Sequence, residues 1–303
     1  MTERKDATEI TKSANREMLE KLPFEDRRDF DEAARGFIAP VPDGPVLKPE
    51  GDWVFDPHRL SFITEDTDCP DTVNPSLWRQ GQLFSRGGLF EVAERIYQVR
   101  NLDVSNLTIV EGDTGLIVID PLISEETAKA AMDLYFEHRP KREVVAVIHS
   151  HSHVDHYGGV RGVVNEGDVK AGRVKIIAPE GFLEAAVAEN VMAGNAMTRR
   201  AMFQFGGLLA PDEKGSVGVG LGVGVSLGTI TLLPPTDLIT EMGLDWLGQR
   251  DKAKPFMLMV QHKAPHRPFS PPARYYKWLA DVDVPEPDTL FDDYAGRASP
   301  AHN

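Results

Sequence analysis

Eight consecutive residues, His149-Ser150-His151-Ser152-His153-Val154-Asp155-His156, hold four of the nine histidines in the chain. They follow directly on a short apolar run, Val144 to Ile148. Such a run reads as a strand covered on both faces, and the carboxyl end of a strand is where α/β folds build their sites. Imidazoles crowded in this way repel one another when protonated and compete for partners when neutral. A dication removes that cost, because neutral imidazole and carboxylate are both good zinc ligands. His151 and His153 are two apart in an extended segment, so their rings project to the same side. Asp155 and His156 follow where the chain turns and can face a second ion. The predicted metal ligands are therefore His151, His153, Asp155 and His156, and the predicted cofactor is zinc, two ions in a complete site. His149 lies outside the pattern and is assigned a structural or supporting place. Zinc lowers the pKa of a bound water from ~16 to about 7, which makes the reaction class hydrolysis.

Around the cluster, strands alternate with helices, and this predicts an α/β layered domain. Leu89 to Val99 reads as one strand. Leu107 to Val110 and Leu116 to Asp120 read as two more, joined by the turn Glu111-Gly112-Asp113-Thr114-Gly115. Ser124 is placed to cap a helix that opens with Glu125 and Glu126 and keeps helical spacing through Phe136. Further on come a strand at Val174 to Ala178, helices around Phe182–Ala193 and Ala196–Phe205, and a strand at Thr229 to Leu233. Gly206 to Gly228 carries eight glycines. It contains no Gly-x-Gly-x-x-Gly and no Gly-Lys-Ser/Thr, so it reads as a mobile loop beside a site and not as a phosphate cradle. Residues 1–50 are mixed in charge and end in the Pro-rich Ala39-Pro40-Val41-Pro42; they read as an extension wrapping the main domain. Trp78 and Arg79 either line a site or pack.

Net charge is −14, which argues against nucleic acid and anionic membranes as partners. Any anionic substrate then needs a local positive centre, which a metal supplies. The single cysteine, Cys69, allows neither an intramolecular disulfide nor a cysteine-rich zinc site. Met1 to Glu20 is charged throughout with no apolar core, and no stretch reaches the ~18 apolar residues of a membrane span. The expectation from these features is a cytoplasmic protein with no membrane span.

His-x-His-x-Asp-His resembles the metal motif of the metallo-β-lactamase fold. The flanking words resemble one group within it, the alkyl sulfatases. They include Thr72-Val73-Asn74-Pro75-Ser76-Leu77-Trp78-Arg79-Gln80, Gly88-Leu89-Phe90-Glu91-Val92, Ile96-Tyr97-Gln98-Val99-Arg100, and Glu111-Gly112-Asp113-Thr114-Gly115 with Asp120-Pro121-Leu122. They continue with Tyr157-Gly158-Gly159-Val160-Arg161-Gly162-Val163, Ile176-Ile177-Ala178-Pro179-Glu180-Gly181-Phe182, Glu189-Asn190-Val191, Ala193-Gly194-Asn195-Ala196-Met197 and Pro234-Pro235-Thr236-Asp237. The resemblance covers roughly residues 52–241. It implies an α/β, metallo-β-lactamase-type αββα sandwich, hydrolysis of alkyl sulfates to alcohol and sulfate, and a homodimer. It places one zinc on His151 and His153 and the other on Asp155 and His156. The family takes its remaining ligands and sulfate-gripping residues from later strands, and no counterpart is found after Glu241, so the sandwich and the site are predicted to be incomplete.

Residues 244–303 resemble something else. Lys254-Pro255-Phe256-Met257-Leu258-Met259-Val260 and His262-Lys263-Ala264-Pro265-His266-Arg267-Pro268 are similar to an internal segment of the formylglycine-dependent sulfatases, in which Lys263 and His266 would contact sulfate. The predicted organisation is an N-terminal extension (1–70), a partial metallo-β-lactamase-like domain (71–241) and a sulfatase-like segment (242–303). Ser270-Pro271-Pro272-Ala273-Arg274 fits that second family's nucleophile pattern, but it follows the lysine–histidine segment where the nucleophile precedes it; it reads as a Pro-rich loop. Two rivals to an alkyl sulfatase stay open: a hydrolase of the same fold acting on another ester, amide or thioester, and a metal-binding fragment without catalysis.

Overall fold

The computed structural model describes residues 5–239. The expectations for residues 242–303, with Lys263, His266 and Ser270, lie outside the described residues. In chain order the elements are α1 (Glu9–Lys21), α2 (Arg28–Ala34), β1 (Phe37–Pro40), β2 (Val46–Leu47), β3 (Trp53–Phe55), α3 (Pro75–Phe84), β4 (Gly88–Ala93), β5 (Ile96–Arg100), β6 (Leu107–Glu111) and β7 (Leu116–Ile119). There follow α4 (Glu125–His138), β8 (Val144–Ile148), a 3₁₀ turn (Val154–His156), α5 (Val160–Val163), α6 (Glu166–Lys170), β9 (Lys175–Ala178), α7 (Phe182–Val187), a π-turn (Ala188–Met192), α8 (Gly194–Phe205) and β10 (Asp237–Leu238).

Eight strands form one mixed sheet in the order β1-β4-β5-β6-β7-β8-β9-β10. From β1 to β7 every neighbour is antiparallel. From β7 to β10 every neighbour is parallel. The strands β5, β6 and β7 alternate buried and half-buried positions, the period-two signature of a sheet with one packed face. That face puts Tyr97, Val99, Leu107, Ile109, Leu116 and Val118 against Ala131, Met132, Leu134 and Tyr135 of α4. Each Leu or Ile buried there contributes about 1.5–3 kcal/mol. A second cluster, Val147, Ile176, Val160 and Val164, covers the parallel half. The other sheet among the described residues is the β2–β3 pair. The fold is α/β, with one large sheet of the αββα sandwich present among these residues and the second large sheet not among them.

Helix α4 begins where Ser124 predicts it: the Ser124 side chain accepts from Thr127 N, and Glu125 and Glu126 fill the first turn. Four expectations need correction. Leu89 to Val99 is two strands, not one, folded back at Glu94-Arg95, with Arg95 at φ +65°. Ala39-Pro40 is not connecting extension but part of β1, with Ala39 opposite Leu89 and Pro40 opposite Gly88. Proline is tolerated there because β1 is an edge strand. Phe182–Ala193 is broken by the π-turn at Ala188–Met192. Thr229–Leu233 is not a strand, because its backbone is engaged elsewhere: Thr229 O accepts from Glu125 N and Thr231 N donates to Gly158 O.

The glycine-rich stretch is pinned by packing, with Val217 and Val223 buried against Leu60, Ile63 and Trp78. Ser226 is tied to the fully buried Asp103, which accepts from Ser226 N (3.1 Å), Ser226 Oγ (2.6 Å), Thr127 Oγ1 (3.0 Å) and Ile123 N (3.2 Å). Trp78 and Arg79 pack: Trp78 Nε1 donates to Thr67 O (3.1 Å), and Arg79 Nε donates to Asp29 Oδ2 (2.8 Å). Among the described residues no helix is long and apolar enough to cross a membrane.

Candidate metal centre

The histidine cluster leaves the sheet at the carboxyl end of β8, the first strand with a parallel neighbour on both sides. His149 N still donates to Ile177 O at 2.9 Å, so the ladder to β9 runs one residue past β8. The chain then bends, and His156 N donates to His153 O at 3.0 Å to close the 3₁₀ turn. The next residues are glycines for a steric reason. A Cβ on Gly158 would strike the Ile123 carbonyl, and one on Gly159 the Pro121 carbonyl. Their absence lets the turn sit directly on the loop that follows β7.

His149 is buried in this corner. Its ring stacks on Phe182 (centroids 5.2 Å, planes 10° apart), and its Nδ1 lies 3.1 Å from His156 O. Burial pushes its pKa down to about 4, so it is a neutral support for the turn, the place assigned to it from the sequence.

The four predicted ligands are gathered together. The His151 ring is 4.6 Å from that of His153 and 4.1 Å from that of His156, centroid to centroid. His156 Nε2 is 3.1 Å from Asp155 Oδ2. Burial, then the neighbouring His156 and His153, lowers the His151 pKa to about 4, so this imidazole is neutral and its lone pair is available at neutral pH. Burial works against the charged form of His156, but hydrogen bonds to Asp120 and Asp155 outweigh it and carry the pKa up to about 9. Burial likewise opposes ionisation of Asp155, but the hydrogen bond from His156, the charge of His156, a backbone hydrogen bond and the charge of His153 together outweigh it and hold the carboxyl below its ordinary range.

Sequence reasoning missed the residue that organises these groups. Asp120, at the carboxyl end of β7, accepts from Ser150 N (2.8 Å) and Ser150 Oγ (2.7 Å), and its Oδ2 lies 2.9 Å from His156 Nδ1. Its φ is +55°, a left-handed conformation that an aspartate adopts more readily than most residues. The hydroxyl of Ser150 spends its one hydrogen on Asp120, so at 3.0 Å from His151 Nδ1 it accepts. His151 therefore carries hydrogen on Nδ1 and its lone pair on Nε2. Asp120 thus fixes both His151 and His156. The signal was present, an aspartate ending a strand beside the one that carries the cluster, but 30 residues separate it from Ser150. Ser105 Oγ also donates to the Asp155 carbonyl, so the β5–β6 connection supports the turn from the other side.

The donor set suits zinc: neutral imidazoles, a carboxylate, and outer oxygens fixing the ring tautomers. The convergence is incomplete. Among the described residues no three His, Cys, Asp or Glu groups are aimed at one common point, because Asp155 and Asp120 both face His156 and not a shared centre.

Comparison with known proteins adds four findings. Residues 100–245 match the metallo-beta-lactamase superfamily. The chain is 62% identical over 239 residues to a linear primary-alkylsulfatase of Pseudomonas sp, a match covering 79% of this chain and 36% of that protein. The solved structure of the stereoselective inverting sec-alkylsulfatase Pisa1 from Pseudomonas sp. superposes with a TM-score of 0.74 at 50% identity, over 78% of this chain and 37% of that one. This chain thus spans little more than a third of the length of the relatives it matches. A separate likeness, 46% identical over 66 residues, or 22% of this chain and 12% of that protein, is to an N-acetylglucosamine-6-O-sulfatase of Bacteroides thetaiotaomicron; the chain is therefore similar to sulfatases of two kinds. Residues 100–245 of the chain are thus similar to the metallo-β-lactamase superfamily, within a longer stretch similar to the alkylsulfatases.

Proposed function

We propose that the chain is built for zinc-dependent hydrolysis of alkyl sulfate esters to alcohol and sulfate. The observation that carries this reading is the gathering of His151, His153, Asp155 and His156 on one turn, with Asp120 behind them, in a chain 62% identical to a primary alkylsulfatase over most of its length. His151 and His153 would hold one ion, and Asp155 and His156 the other. When bound, zinc supplies a hydroxide at neutral pH and a positive centre for the sulfate. The chain's own residues do the rest. Asp120 and Ser150 hold His151 with its Nε2 lone pair exposed, Asp120 holds His156 by Nδ1, and the buried His149 fixes the turn. A positive centre is needed because the chain's net charge of −14 repels an anionic ester everywhere else.

The reading divides the chain into an extension (1–70), a metallo-β-lactamase-like part (71–241) and a sulfatase-like segment (242–303), and it includes the homodimer that the resemblance implies. A second reading, a zinc-binding fragment without turnover, is favoured by one observation: the donors do not converge on a common point among the described residues. The experiment that separates the two is sulfate release from dodecyl sulfate by the purified zinc-loaded chain. Turnover abolished by a chelator supports the first reading; zinc uptake without sulfate release supports the second.

A further inference from the structure

We infer that Thr231 is a positioning residue for the turn that carries Asp155 and His156: it clamps the Gly158 carbonyl, caps the short helix that follows, and so holds the turn at its carboxyl end. The inference rests on Asp155 and His156 being metal ligands, the reading proposed above. Thr231 N donates to Gly158 O at 2.7 Å, and Thr231 Oγ1 donates to the same oxygen at 2.8 Å. The hydroxyl oxygen in turn accepts from Arg161 N at 3.3 Å. One threonine thus grips both sides of the point where the turn becomes α5.

The need for an outside residue follows from how the turn is packed. A helix leaves its first four N–H groups without partners inside the helix. The residue before the helix commonly offers a side-chain oxygen to the second or third of them. Here that residue is Gly159, which has no such oxygen. Neither Gly158 nor Gly159 has room for a side chain, because a Cβ would strike the Ile123 and Pro121 carbonyls. Close seating on the loop after β7 therefore deprives the turn of its own cap, and Thr231 supplies the oxygen from 70 residues further along. Thr231 is itself fixed from both directions. Before it, Thr229 N and Oγ1 donate to the two carboxylate oxygens of Glu126 at 2.8 and 2.7 Å. After it, Leu233 is buried in the cluster with Val147 and Ile176, and Ile176 N donates to Thr236 Oγ1 at 2.9 Å. On the other side of the turn, Ser105 Oγ holds the Asp155 carbonyl. Asp155 and His156 therefore lie between two hydroxyl clamps, neither of which touches a metal-binding side chain.

The test compares the full chain as wild type, Thr231→Val and Thr231→Ser. Valine removes the hydroxyl and keeps the backbone N–H; serine keeps both. Zinc affinity is measured by competition with a chromophoric chelator, the visible spectrum is recorded with cobalt(II) in place of zinc, and urea midpoints are taken on metal-free protein. The expected result is ~10-fold weaker zinc binding and altered cobalt bands in Thr231→Val, with both restored in Thr231→Ser. A merely structural threonine would shift the urea midpoint of Thr231→Val and leave its zinc affinity and cobalt bands as in wild type. That result, or a serine variant no better than valine, overturns the inference alone. Should Thr231→Val not fold, hydrogen exchange in the wild type decides. Coupling between sites is reciprocal, so zinc is expected to slow exchange of the Thr231 and Arg161 amides more than that of amides in α1. Exchange at these two amides unchanged by saturating zinc overturns the inference. A wild type that takes up no zinc overturns the metal reading itself, and the inference goes with it.

Discussion

The Asp120 Oδ2 lies 2.9 Å from His156 Nδ1 across the ends of two parallel strands, and the same oxygen receives the Ser150 hydroxyl at 2.7 Å. One carboxylate outside the histidine motif therefore orients two residues within it. Replacing it with Asn leaves an acceptor for one partner but removes the charge. Asp120→Asn is expected to lower zinc affinity by ~10–100-fold while leaving the fold intact. Chelator competition together with circular dichroism checks this.

His156 holds its proton up to about pH 9 in the folded chain, against an ordinary value of 6.5. The folded chain therefore binds the extra proton between these two values, and the stability His156 contributes is full below about 6.5 and fades as pH rises through 9. His149 and His151, both lowered to about 4, act in the opposite sense: the unfolded chain binds more protons between 4 and 6.5, so acidification through that window destabilises the fold. Urea midpoints of chelator-treated protein are expected to pass through a maximum near pH 6.5. In His156→Gln the fall on the alkaline side should be smaller.

The same proton opposes metal binding. Zinc needs the His156 lone pair, so uptake at pH 7 must expel a proton that His156 otherwise keeps to about pH 9. Calorimetry in buffers of different ionisation enthalpy is expected to show proton release on zinc binding at pH 7 that declines toward pH 9.5. His156→Gln should show correspondingly less release at pH 7.

Asp103 is wholly buried, and burial raises its pKa. Its carboxylate ties Ser226 in the glycine-rich stretch to Thr127 at the start of α4 and to the Ile123 amide. Asp103→Ala leaves several buried donors without an acceptor and is expected to cost about 3 kcal/mol of stability, read from urea unfolding. A loss below about 0.5 kcal/mol, the range of ordinary surface substitutions, would contradict the role given to it.

What was legible in the sequence was what short-range chemistry decides. The β6–β7 hairpin is marked by Gly112 and Gly115, and Ser124 caps α4. The gathering of His151, His153, Asp155 and His156 on one turn is marked by their spacing alone. The β4–β5 hairpin was hidden because neither Glu94 nor Arg95 is a usual turn residue, although Arg95 adopts a left-handed conformation. Thr229–Leu233 has strand composition, yet its hydrogen bonds go to the start of α4 and to Gly158. Asp120 and Asp103 escaped for a common reason. Each acts on a partner brought near only by the folded topology, and a lone carboxylate in sequence is most often a solvated surface group.

The central claim is tested most directly by the zinc content of the purified chain, measured beside a His151→Ala/His153→Ala double variant by elemental analysis. The account predicts about two ions per wild-type chain and their loss in the double variant. A wild type that binds no zinc, or a double variant that keeps it in stoichiometric amount, would contradict the account.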